Sequence, residues 1–191
     1  MMQAKIGIIW DSPQLFTKLV EDSGHTCELI TPHLLAAPFF RRSLHAIIIP
    51  AGFADKKMSS VLAALRALED RIRRYVTEGG TVLVFGAAIE YPGAYDWLPF
   101  DLAYSFGFFE SQVSQVSDHP LACIVPSINQ AISCDGVFAY TGEGCILTAK
   151  GDSILIRHAL GKGQYIVTTI HEYPSRQFLT SFCEGQGETF F

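Results

Sequence analysis

Few side chains in this 191-residue chain could do chemistry: five cysteines, six histidines and scattered carboxylates. A catalytic thiol needs exposure on a turn, a base to take its proton and an acid to orient that base. His171 and Glu172 follow a β-branched run and offer a base and an acid. The turn Gly86-Ala87-Ala88 follows another apolar run, where open α/β sheets place their ligands, yet it holds alanine. Cys123 and Cys145 read as small hydrophobes of the core, whereas Cys134-Asp135-Gly136 reads as a turn and makes Cys134 the most exposed thiol. No histidine is placed beside it by the sequence. His119, His158, His171 and Glu172 lack the close spacing of a metal-ligating pair, so neither a metal nor a cofactor is expected.

The elements that must position these residues alternate in the first half. Lys5 to Trp10 is an apolar run suited to a buried strand, and Ser12-Pro13 opens a helix reaching Asp22. Thr26 to Ile30 reads as a second strand, and the unbroken hydrophobicity of Ala46 to Ile49 as a third, buried on both faces. From Ser59 or Ser60, Leu62, Leu65, Leu68, Ile72, Tyr75 and Val76 recur at helical spacing, opposite Arg66, Glu69, Asp70, Arg73 and Arg74. Gly79-Gly80 ends that helix before the strand Thr81 to Phe85, so right-handed βαβ crossovers are expected.

Past Glu90 the chain becomes rich in glycine, proline and aromatic residues. Tyr91, Tyr95, Trp97, Phe100, Tyr104, Phe106, Phe108 and Phe109 are expected to be mostly core, with two or three lining a pocket or a self-association surface; Asp96-Trp97 and Asp101 are the expected exposed members. Lys150-Gly151-Asp152 and Gly161-Lys162-Gly163 read as hairpin turns between β-branched runs. A short helix is expected over Pro174 to Cys183, and 184–191 as a flexible tail whose phenylalanines could dock.

Composition sets the outer limits. With 49% hydrophobic and 17% charged residues the chain can bury a large core, expected as a single domain over 1–191. A net charge of −5 with no basic stripe argues against a nucleic-acid partner. The start carries neither a signal peptide nor a span, so a cytoplasmic protein without a membrane partner is expected.

The order of Ile49-Pro50-Ala51-Gly52, Gly79-Gly80, Gly86-Ala87-Ala88, Asp135-Gly136, Gly161-Lys162-Gly163 and Thr169-Ile170-His171-Glu172 resembles the class I glutamine amidotransferase-like superfamily, most closely the domain related to the amino-terminal region of some biotin protein ligases. The resemblance implies an α/β fold: a three-layer, flavodoxin-like, mainly parallel sheet with a β-rich carboxyl-terminal part. It also implies a cysteine at the centre of G-x-C-x-G, where this chain has Ala88, and a second glycine where it has Glu90. His171 falls at the family histidine, while Glu172 lies one residue beyond it instead of two. Gly52 falls at an oxyanion-pocket amide, and is equally a turn residue without a Cβ.

The expectation is therefore a protein without glutaminase activity that binds a small molecule or a partner protein at the degenerate cleft, through Gly52, Phe53, Gly86, Ala87, Ala88, Glu90 and His171. The alternative is a hydrolase or amidotransferase using a different nucleophile or a metal-bound water. A homodimer is one assembly the aromatic surface would permit.

Overall fold

The computed structural model describes residues 3–127, 130–183 and 187–191. Five strands lie parallel and side by side in the order β2 (Thr26–Ile30), β1 (Lys5–Ile9), β4 (Ala46–Ile49), β5 (Thr81–Val84) and β10 (Gly163–Thr168). Every residue of β4 and β5 is buried, which is why their sequences read as unbroken apolar runs. Helices return the chain between them: α1 (Leu15–Asp22), α2 (Pro32–Leu35), α3 (Val61–Ala67) and α4 (Glu69–Glu78). The helix expected from Ser59 to Glu78 is broken at Leu68, which caps α3 and begins α4. α4 buries Ile72, Tyr75 and Val76 and exposes its charges apart from the half-buried Arg71.

Beyond β10 the same sheet turns antiparallel, through β9 (Asp152–Leu160), β7 (Ala131–Ala139), β6 (Ala103–Gln115) and β8 (Cys145–Ala149). β8 pairs with both β6 and β9, so β9, β7, β6 and β8 close into an antiparallel barrel. This corrects the expected fold class: the chain is mostly β, with a closed antiparallel barrel, and is not a three-layer flavodoxin-like structure with a mainly parallel sheet. Sequence reading missed the length of β6, because its exposed positions break any apolar run.

Cys134-Asp135-Gly136 is likewise no turn. It lies inside β7, with Cys134 and Asp135 fully buried. Gly136 serves close approach, since a Cβ there would meet the carbonyl oxygen of Ser105 on β6 at 2.4 Å. Trp97, expected at the surface, is buried, whereas Asp96 and Asp101 are exposed. Helix α5 (Arg176–Cys183) packs on the 3₁₀ turn Pro120–Ile124. Of the tail expected to be flexible, 184–186 lie outside the described residues; β11 (Thr189–Phe190) pairs with β3 (Ser43–Leu44), and Phe191 is buried.

Candidate cleft at the carboxyl ends of the parallel strands

β4, β5 and β10 run parallel, so their carboxyl ends emerge at one edge and bring Pro50-Ala51-Gly52, Gly86-Ala87-Ala88 and His171 to the same side. The loop after β4 is tied to the turn after β5 by the Gly52 amide, which donates to the Gly86 carbonyl at 2.9 Å. Gly52 adopts φ 83°, a left-handed conformation that suits a residue without a Cβ. Its N–H is thus spent inside the protein. Ala88 also has a positive φ, 55°, which is strained for alanine.

What lies over Gly86 is a carboxyl group from the barrel. A Cβ on Gly86 would stand 1.9 Å from Oδ1 of Asp135. The Tyr104 hydroxyl donates toward the Asp135 carbonyl at 2.7 Å and Oδ1 at 3.3 Å, and Oδ2 has no partner among the described residues. Burial pushes this carboxyl up to about 7, against the opposing pull of the Tyr104 hydroxyl and of its own backbone amide. Tyr95 and Tyr104 pack edge to face at 5.5 Å between ring centroids, and burial raises both phenols. Tyr95 also donates to the Phe85 carbonyl at 3.3 Å. Asp135, Tyr95 and Tyr104 are the residues that sequence reading missed; the Asp-Gly pair masked the first and the aromatic density hid the other two.

The structure sets the remaining candidate residues around this plug. Phe53, Gly86 and Ala87 are buried, and Ala88 is half-buried. Glu90 is exposed and accepts from the Phe106 amide at 3.2 Å, just before the bulge between Phe106 and Phe109 that interrupts the β6–β7 pairing. The Glu172 carboxylate accepts from the Ser133 amide at 3.1 Å, so it caps β7 and makes no hydrogen bond to the His171 ring. Cys134 is sealed in, and burial pushes its thiol up to about 12, which leaves it inert as a nucleophile.

His171 stands between two open spaces. On one side is a cleft of about 230 Å³ walled by Phe16, Ala51, Phe85 and Tyr173. On the other is a more open shelf of about 430 Å³, bordered by Phe108, Phe109, Glu110 and Ser133. The His171 amide is fixed to the Ser133 carbonyl at 2.9 Å, and its ring meets the Phe108 ring edge-on at 5.3 Å. Neither ring nitrogen has a protein hydrogen-bond partner among the described residues, and the residue is exposed. Those residues hold no cluster of three His, Cys, Asp or Glu side chains able to grip a metal ion. Among them, no helix is long and apolar enough to cross a membrane.

No family profile and no curated protein matches the chain. Solved structures do. It is similar to the cytoplasmic protein STM1381 from Salmonella typhimurium LT2, at 14% identity and TM-score 0.62, over 92% of this chain and 93% of that one. It is similar to the cytoplasmic protein STM3548 from Salmonella typhimurium, at 13% identity and TM-score 0.58, over 97% of this chain and 99% of that one. The beta-galactosidase from Bacillus circulans sp. alkalophilus aligns at 15% identity and TM-score 0.57, over 95% of this chain but only 31% of the galactosidase. At such identities the likeness is one of fold alone. Together with the closed barrel, these neighbours correct the resemblance to the class I glutamine amidotransferase-like superfamily and its biotin protein ligase branch: the chain groups structurally with STM1381-like and STM3548-like proteins.

Proposed function

We propose that this is a non-catalytic binding protein of the cytoplasm, which takes a small, largely apolar molecule bearing one hydrogen-bonding group into the cleft beside His171. The observation that carries the reading is the His171 imidazole: exposed, held by its backbone and by Phe108, and with both ring nitrogens without a hydrogen-bond partner among the described residues. Aromatic walls with one or two fixed polar groups are the usual makeup of a small-molecule pocket. The neighbouring turn offers no chemistry of its own, since Ala88 has no reactive group, Gly52 has spent its amide and the thiol of Cys134 is buried. A side chain protruding from a partner protein would use the same contacts. The net charge of −5 supports a partner other than nucleic acid.

The test is a thermal-shift screen of the intact protein with small, largely apolar molecules that carry one hydrogen-bonding group, such as phenols, aromatic alcohols and aromatic amides, repeated on His171→Ala. The expected result is a compound that raises the wild-type melting temperature and binds the folded variant roughly tenfold more weakly, the worth of one lost hydrogen bond. A compound that stabilises both proteins equally places its site elsewhere and defeats the reading.

A further inference from the structure

The two walls of the His171 cleft hang from different parts of the chain and meet at one buried carboxyl. One wall, Ala51 and Phe85, belongs to the loop after β4 and the residue after β5, which are tied together by the Gly52 amide on the Gly86 carbonyl. The other wall, His171 and Tyr173, follows β10. Phe16 backs both, its ring edge-on to Phe85 at 5.4 Å and to Tyr173 at 5.6 Å. The segment after β10 is laced to β7. The Asp135 amide donates to the Thr169 carbonyl at 2.9 Å, Cys134 pairs with Ile170 in an antiparallel bridge, and the His171 amide donates to the Ser133 carbonyl at 2.9 Å. The Asp135 side chain, from those same three residues of β7, lies against Gly86 on the first wall. It is the wedge at which the walls join.

That wedge suits a carboxyl that carries a proton. Asp135 is fully buried, and its Oδ2 has no hydrogen-bond partner among the described residues. The titratable groups that face it are the phenols of Tyr95 and Tyr104, and neither is a cation. Around them, Glu90 acts on Tyr104, while Glu172 and Lys150 act on the thiol of Cys134 beside it in β7. No lysine, arginine or histidine forms an ion pair with Asp135 among the described residues. A neutral acid rests over the Gly86 backbone at little cost, whereas a carboxylate there gives up its water with no charge in exchange. The contact leaves no gap for water, since even a Cβ on Gly86 would stand 1.9 Å from Oδ1. Bringing the ionised group to water therefore means parting β7 from Gly86, and the walls with them.

We propose that protonation of Asp135 sets the width of the His171 cleft: with the proton the carboxyl lies on Gly86 and the walls stand together, and without it the carboxylate is drawn to water and the walls part. On the reading of that cleft as the binding site, the switch holds a ligand while Asp135 is protonated and releases it as the proton leaves. Burial puts the change in the neutral range, because it pushes this carboxyl up to about 7.

The test needs no ligand, so its outcome is separate from that of the compound screen. NMR on the whole protein follows how strongly an uncharged gadolinium chelate relaxes the ring protons of Phe16 and Phe85, which are 6% and 3% exposed. Between about pH 5.5 and about pH 8.5 that relaxation should rise at least about twofold in the wild type, with one midpoint near 7. His171→Gln should keep the rise, which separates it from titration of the imidazole, and Asp135→Asn should abolish it. Tyr104→Phe keeps the carboxyl but removes the hydroxyl that favours its charge, so the midpoint should move upward. Constant relaxation in the wild type, an equal rise in Asp135→Asn, or a midpoint in Tyr104→Phe that stays or falls overturns the proposal. The expected rise in a protein for which the screen finds no compound would defeat the binding site and leave the switch standing.

Discussion

The parallel strands and the antiparallel barrel share one sheet but are stabilised differently. β4 and β5 are buried along their whole length, so their alternating side chains pack on both faces of the sheet. β6 exposes alternate positions along most of its length and owes its place to pairing with β7 on one side and β8 on the other. The two regions are joined by the pairing of β10 with β9, and beside it they also meet through a polar group: the Asp135 carboxyl of β7 against the bare backbone of Gly86. The difference indicates that substitutions at this junction should cost far more than similar ones on the outer barrel, and that the junction should respond to pH.

The largest effect is expected for Asp135. Its folded-state pKa, raised to about 7 from 3.8, means that the native protein holds a proton that the unfolded chain has released. The stabilisation is therefore complete below about pH 4, declines as pH climbs to about 7, and is flat above. Relative to Asp135→Asn, which cannot titrate, the wild type should lose on the order of 3 kcal/mol between pH 4 and pH 8, measured by urea unfolding at both. A constant difference between the two proteins would refute this. Gly86→Ala should follow at about 2 kcal/mol, because the new methyl must displace a carboxyl that has nowhere else to go. Gly107→Ala, in the β6 bulge where a Cβ would meet nothing within 4 Å, should stay within about 0.5 kcal/mol of the wild type. If Gly107→Ala proved the costlier in urea titrations, the contrast between junction and outer barrel would be lost.

The same contrast governs what the sequence reveals. Ala46–Ile49 and Thr81–Val84 are legible because burial on two faces leaves no room for polar residues. The turns at Lys150-Gly151 and Gly161-Lys162 are legible because the positive φ values of Gly151 and Gly161, 94° and 60°, favour glycine. The barrel is not, since Phe106, Phe108 and Phe109 flank a bulge and fall out of step with a strand's alternation. Nor could Cys134-Asp135-Gly136 be read correctly: local composition favours a turn, and only contacts from Gly86 and Ser105, distant in sequence, explain a buried acid and a small residue there. His171 was legible as a strand-end residue, but its flanking spaces depend on Phe16 and Phe108, which no local pattern links to it.

β5 and β10 are neighbours in space although the whole barrel lies between them in the chain. The barrel is thus an excursion that leaves the parallel strands and comes back beside its point of departure. The entropy of closing such an excursion grows only with the logarithm of its length, about 0.6 kcal/mol for each doubling. Insertions and deletions in its loops would accordingly weigh little on the strands that hold it. Descendants of this sequence could lengthen, trim or reshape the rim beside His171 while the parallel floor stayed as it is, and it is there that a change of ligand preference would meet least resistance.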